Sequence, residues 1–485
     1  MRGRSQKSRK IENNILHILM YYESTNKRKG GHVYMAKQGS STKQLKQTLG
    51  FWDLMSTAIG QIIGAGIMTL LGSAIALTGR SVPISFLIAA VLVVGYSIPK
   101  ILICGAVRAR GGEYTMVAML GGVRMAGIYT VVNTLSNLSL AMYSLSFASY
   151  FISLFGFGNE KVIALIVTTV FFLINIVGVM AKFQNLIVAM LCIALGLFAV
   201  IGLKYVQPDY MTNGFLTGGI GGLLQAGGLL TFAVGGSTVV ANLSAEAKNP
   251  TRDIPIVMLV STLVVAVIYG LIGIVAAGVL PVEQVAGENL AMVAEYVLSR
   301  PLYVFFMTCG AMFALISTLN AQFAWATKPI LQGCDDGWLP QQLAYLHPKF
   351  KTPVVLLGIL YVIAVVCIIS GLSVSILGNL SLIMTTLAVA IICAFTWKLP
   401  IICPKGWANS KFKVSGPVMT AIVIFSTACA VFNIWLNVTQ LSKGLIIGNV
   451  VLLIISIIFA QLRMSKVDLS PSYEENCGDE EPETK

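Results

Sequence analysis

Charge is the scarcest property of this sequence: Asp, Glu, Lys and Arg supply 11% of its 485 residues, where a soluble domain carries about 25%. Water is therefore not the solvent for most of the chain. Histidine is scarcer still, and His17, His32 and His347 all fall in predicted connections. No HExxH, GxSxG or phosphate-loop pattern occurs, so hydrolytic, metal and nucleotide chemistry lack their parts and the chain reads as a non-enzyme without a cofactor. Cys104, Cys192, Cys309, Cys334, Cys367, Cys393, Cys403, Cys429 and Cys477 show no metal-ligand spacing and none lies in a predicted outer loop, so they read as reduced packing residues. The stretch before Met35 lacks the apolar core and small-residue cleavage site of a signal peptide. Met1 and Met35 both stand as candidate starts.

What fills the sequence is apolar, with 56% hydrophobic residues and a mean hydropathy of +0.82. Stretches of about 20 apolar residues, the length that crosses a bilayer, recur from Phe51 to Leu462, separated by connections too short to fold alone. They predict an all-α integral membrane protein of about twelve transmembrane helices. The expected spans are 51–78, 82–105, 125–155, 162–180, 184–203, 220–245, 254–280, 302–326, 354–371, 374–397, 415–437 and 444–462. A basic arm (1–50) precedes this transmembrane domain (51–462), and an acidic tail (463–485) follows it.

The net charge of +13 follows topology rather than a nucleic-acid surface. The arm is basic from Arg2 to Lys46, and alternate loops carry residues such as Arg108, Arg110, Lys182, Lys248, Lys349 and Lys405. The opposite loops hold little beyond Arg80, Lys161, Lys204, Arg300 and Lys443, with Asp209, Glu283, Glu288 and Glu295 beside them. The positive-inside rule then sets both termini in the cytoplasm of a protein of the cell membrane. The tail, with Glu474, Glu475, Asp479, Glu480, Glu481 and Glu483, is expected to be disordered because it is too polar to pack.

Two glycine clusters interrupt the apolar pattern: Gly60 to Ile67 in the first predicted helix and Phe232 to Ser237 in the sixth. A helix in lipid satisfies its own backbone, so a break is tolerated only where protein or a water-filled cavity surrounds it. The two clusters occupy matching positions if helices 1–5 and 6–10 are repeats, which is the sequence pointer to a mid-membrane binding site. Close helix packing through small residues is the alternative. In the site reading, free N–H groups of Gly64, Ala65, Gly66 and Ile67 at the start of a half-helix suit a carboxylate. Carbonyls of Ile63, Phe232, Ala233 and Gly235 suit an ammonium group, with Val234, Gly236 and Ser237 completing the turn. Together these describe a zwitterion.

The residues that carry a family likeness are Leu49-Gly50-Phe51-Trp52-Asp53 leading into IIGAGI, then Gly111-Gly112-Glu113-Tyr114, the run from Ala245 to Pro255 (AEAKNPTRDIP), and Asp335 to Pro340 (DDGWLP). On these the chain resembles the amino acid, polyamine and organocation transporter superfamily. The resemblance implies a five-plus-five inverted repeat with two further helices, with helices 1 and 6 unwound at mid-membrane. It also implies alternating-access transport of amino acids or amines, by symport or exchange. A neutral amino acid is the expected substrate and a polyamine or cationic amino acid exchanger the alternative. A channel, the reading from another class, lacks its rings of charge or repeated filter carbonyls.

Many proton-coupled relatives have a lysine in helix 5, seven residues after a glutamine; counting from Gln184 reaches Leu191. Asp53 and Glu113 are expected at cytoplasmic helix ends, so the midplane looks almost free of ionisable groups. Ala314, Ser317 and Thr318 share one helical face and resemble a sodium site that carbonyls of Gly60 and Ile63 would complete. Hydroxyls bonded back to their own helix are the alternative, and Na+ and H+ both stay open as coupling ions. Asn133, Ser136, Asn137 and Ser144 form a polar stripe that either lines the substrate path or bonds between helices. Tyr143, Asn320, Gln322 and Trp325 are equally open. Where the family usually has an aromatic residue and a glutamate, this chain has Ser237 and Thr238. Ser237 is therefore expected to leave room for a larger neutral side chain, with Phe232 and Val234 as apolar neighbours.

Overall fold

The computed structural model describes residues 47–178, 181–372, 374–469 and 473–475, together with Thr42 and Leu45. The arm's charges from Arg2 to Lys46, both candidate starts, His17, His32, Cys477 and the acidic residues from Asp479 onward lie outside the described residues. Helix dominates the rest, because each apolar run must close its backbone hydrogen bonds on itself.

The first run makes two helices, α1 (Phe51–Ile62) and α2 (Ala65–Thr78). Asp53 Oδ2 accepts from the Gly50 N–H at 3.0 Å and fixes the start of α1. Helix α3 (Val82–Ala106) carries Pro83 in its first turn, where the missing N–H costs nothing. Helices α4 (Glu113–Ser136) and α5 (Ser139–Phe155) follow in near continuity, with a kink at Gly122, whose φ of 76° suits only glycine well. Asn159 caps α6 (Glu160–Val177) by accepting from the Lys161 and Val162 N–H groups. Then come α7 (Ala181–Gly202), α8 (Gly219–Val234) with a 3₁₀ extension over Gly235–Leu243, and α9 (Pro250–Gly278). A long α10 (Arg300–Asp335) with a π-turn at Phe306–Met312 precedes α11 (Val354–Ser370), α12 (Val374–Phe395), α13 (Gly416–Val438) and α14 (Lys443–Arg463).

Ten helical stretches among the described residues are long and apolar enough to cross a membrane. Burial is arranged for lipid rather than water. Leu87, Val267, Ile369 and Ile424 point outward, while Thr168, Ser317, Gln332 and Asn433 are buried within the bundle. Helices α3, α8 and α9 pack together, and α4 packs on α10, α12 and α14.

Two expectations need correction. Helix α4 begins at Glu113 rather than at 125, and α10 runs to Asp335 rather than stopping at 326. The extra turns carry Thr115, Thr327, Lys328 and Gln332, which a lipid-facing window rejects but which are buried here in protein. The acidic tail does not stay free throughout. Its residues Tyr473–Glu474 (β2) pair antiparallel with Arg108–Ala109 (β1), and Glu474 forms an ion pair with Arg110. Two buried arginines supply what a polar segment needs in order to dock.

Candidate functional site

Helix α1 stops at Ile62, and Ile63 and Gly64 leave the helical region (φ −83°, ψ 88° and φ −149°, ψ −140°) before α2 restarts. The first N–H groups of α2, on Ala65, Gly66 and Ile67, have no partner one turn back because no helical turn precedes them. The Gly64 N–H differs from expectation, since it already donates to the Ile62 carbonyl at 3.1 Å. On the other side, α8 ends at Val234 and the chain tightens into the 3₁₀ turn from Gly235. Helix 6 is therefore not unwound as expected, since Val234 and Gly235 keep right-handed helical dihedrals. The α1–α2 break and this turn touch: a Cβ on Gly66 would overlap Ala233, and one on Gly236 would stand 2.6 Å from the Gln61 carbonyl oxygen. Glycine is required for that approach, so the packing role and the site role coincide.

The break and the turn open on one cavity of about 130 Å³. Of the predicted site residues, Gly66, Phe232, Gly235 and Gly236 line it. Ile63, Ile67, Ala233 and Val234 are buried in the packing around the break and the turn. Ser237 is a correction: its hydroxyl lies 2.6 Å from Thr262 Oγ1 on α9, and Thr238 and Val239 line the cavity instead. The 3₁₀ turn, with three residues per turn, rotates Ser237 away from where an α-helical count puts it.

The remaining wall is polar. Gln61 and Trp325 join across it through an Nε1–H to Oε1 bond of 3.1 Å. The polar stripe divides: Asn133 and Ser136 line the cavity, whereas Asn137 and Ser144 bond between helices, to Gln322 and Thr168. Tyr143 and Gln322 also line it, and Asn320 instead donates to Gln184 and lies outside. Sequence reasoning missed Lys100, which is 1% exposed and places its Nζ 2.5 Å from Glu113 Oε1 at the cavity wall. Glu113 also accepts from the Tyr129 hydroxyl, and its backbone N–H donates to Asn242 Oδ1 at 2.8 Å on the turn after α8. The available signal was a lysine inside the apolar run 82–105, since a charge in a membrane helix survives for a reason.

The candidate ion-site residues do come together. The Thr318 hydroxyl sits 2.7 Å from the Gly60 carbonyl, 3.5 Å from that of Ile63 and 2.9 Å from that of Ala314. It therefore bonds back to its own helix and also reaches across to α1. Ser317 Oγ accepts from Gln184 Nε2 at 2.7 Å, which brings a neutral amide donor from α7 into the cluster.

Residues 49–459 match the model of a family described as amino acid permease. The chain is 26% identical to a branched-chain amino acid permease, BcaP, of Bacillus subtilis, covering 65% of this chain and 73% of that one. It is 24% identical to a methylthioribose transporter of the same organism, over 65% and 73% of the two chains. A cationic amino acid transporter 5 of Arabidopsis thaliana is also 24% identical, over 65% and 58%. A match over most of the length, on a bundle of apolar helices around a broken-helix cavity, makes the chain a transporter rather than an enzyme. It belongs to the amino acid permease family of the amino acid, polyamine and organocation superfamily.

Proposed function

We propose that the protein carries neutral amino acids across the cell membrane by alternating access. The observation that carries this reading is the break between α1 and α2, which opens on the same cavity as the turn after α8. The N–H groups of Ala65, Gly66 and Ile67 would hold the substrate carboxylate, and carbonyls of Ile63, Phe232, Ala233 and Gly235 its ammonium group. Twelve passes follow if Phe51–Ala106 crosses twice and the shorter Val354–Ser370 is added. Helix 1 with its break and helix 6 with its 3₁₀ turn then stand first in each of two inverted five-helix repeats, at mid-membrane. The arm (1–50) and tail (463–485) would flank this domain on the cytoplasmic side.

A neutral substrate is favoured because Lys100 and Glu113, the charged residues of the cavity wall, neutralise one another. Exchange or proton coupling is favoured over sodium coupling. The Thr318 hydroxyl is already engaged with the Gly60 carbonyl and the Gln184 amide with Ser317, which leaves a sodium ion few free ligands. The test is counterflow in liposomes loaded with unlabelled amino acid. Saturable accumulation of external labelled amino acid is expected, whereas flux that neither saturates nor depends on internal amino acid would refute a carrier and indicate a channel.

A further inference from the structure

The cavity holds more polar side chains than a backbone-held zwitterion uses. Asn133 on α4 and Ser381 on α12 both line it and are 7% and 3% exposed. Asn133 Nδ2 and Ser381 Oγ nevertheless have no hydrogen-bond partner among the described residues. Buried polar groups are nearly always paired, and a carboxamide N–H left open at a cavity wall calls for an acceptor inside the cavity. The Lys100–Glu113 pair adds a strong dipole to the same wall with no net charge. A substrate side chain with a full charge would enter there without a counter-charge, and an aliphatic one would leave both open groups unpaired.

We propose that Asn133, Ser381, Lys100 and Glu113 form a subsite for the substrate's side chain, and that this side chain is neutral and both donates and accepts hydrogen bonds. A carboxamide fits best, its carbonyl accepting from the Asn133 N–H and its amide NH2 donating to Ser381 or Glu113. The inference rests on the transport reading above, which assigns the α-amino and α-carboxyl groups to the α1–α2 break and the turn after α8.

The test is counterflow by the purified full-length protein in liposomes, measured separately for glutamine, asparagine, leucine, arginine and glutamate. Glutamine or asparagine is expected to show at least about tenfold higher apparent affinity than the other three, because a site built to bond a polar group rejects analogues that lack it. Asn133→Leu should bring the glutamine and leucine affinities within about twofold, and Ser381→Ala should narrow the gap by a smaller factor. Equal or better affinity for leucine in the native protein would overturn the subsite while leaving the transport reading intact. An unchanged preference in either folded variant would likewise overturn it, and would mean that water alone occupies these groups. Counterflow of no amino acid would overturn the transport reading and the subsite together. If Asn133→Leu does not fold, the native panel and Ser381→Ala still decide the matter.

Discussion

At the scale of single residues, glycines that look alike in sequence separate by what a side chain would meet. A Cβ on Gly64 would overlap the Thr318 hydroxyl, whereas one on Gly235 would stand 3.2 Å from the Tyr96 hydroxyl and 3.9 Å from Val93. Gly64→Ala is therefore expected to lose about 1–3 kcal/mol of stability by overpacking, a loss that says little about binding. Gly235→Ala should fold and weaken amino acid binding by about tenfold, roughly 1.4 kcal/mol, because it adds bulk at the cavity wall. Gly358→Ala on α11, with open space around it, is the control. Thermal shift with and without substrate reads both quantities, and normal binding by folded Gly235→Ala would remove this turn from the site. A second residue-scale prediction concerns the buried pair. Lys100→Met strands the Glu113 carboxylate, a change expected to cost about 3–5 kcal/mol. Lys100→Met with Glu113→Gln should recover most of the loss, and a double variant no more stable than the single one would show that the pair is not coupled.

Among elements, glycine spacing is a backbone signal: it points to the interruption between α1 and α2, but the same signal at Gly235–Gly236 accompanies a 3₁₀ turn rather than a break. Side-chain direction was less legible. Thr238 rather than Ser237 reaches the cavity because the turn after α8 is 3₁₀ rather than α-helical. Lys100 went unnoticed because a span is found by averaging hydropathy, which hides one lysine among the aliphatic residues of α3. The partners that decide each side chain's role, such as Glu113 for Lys100 and Gln184 for Ser317, come from other helices and have no local signature. The α1–α7–α10 junction yields a prediction at this scale. With Gln184 donating to Ser317 and Thr318 to Gly60, replacing potassium by sodium should not raise the melting temperature. Thr318→Val, which removes the tie from α10 to α1, should lower it in either salt. A sodium-dependent rise that disappears in Ser317→Ala with Thr318→Val would restore the sodium site.

For the whole molecule, the contacts around the tail join segments far apart in sequence and so constrain which loops share a side of the membrane. The Arg108 guanidinium donates to the Lys248 carbonyl at 3.3 Å, and β1, which contains Arg108, pairs with β2. Next in the tail, Glu475 Oε2 accepts from the Lys405 and Gly406 N–H groups at 3.0 and 3.1 Å. The loop after α3, the end of the α8 extension, the segment after α12 and the tail therefore lie at one face and must be labelled together or not at all. From their lysines and arginines the positive-inside rule predicts that this face is the cytoplasmic one. Single cysteines near Lys248 and Lys405, in a cysteine-free background, should both resist an impermeant outside reagent, while one near Glu288 should react. Labelling at Lys248 and Lys405 with protection at Glu288 would invert the orientation, and labelling at only one of the two lysines would break the contact map itself. Glu474→Gln removes only the ion pairs of β2: Glu474 is 40% exposed, so its pairs with Arg108 and Arg110 are worth no more than about 1 kcal/mol. Removing residues 473–485 takes away β2 and the cap on Lys405 and Gly406 as well, so the truncation should lower the melting temperature more than Glu474→Gln does while leaving the labelling pattern unchanged. Equal effects would mean that the tail contributes only its ion pairs.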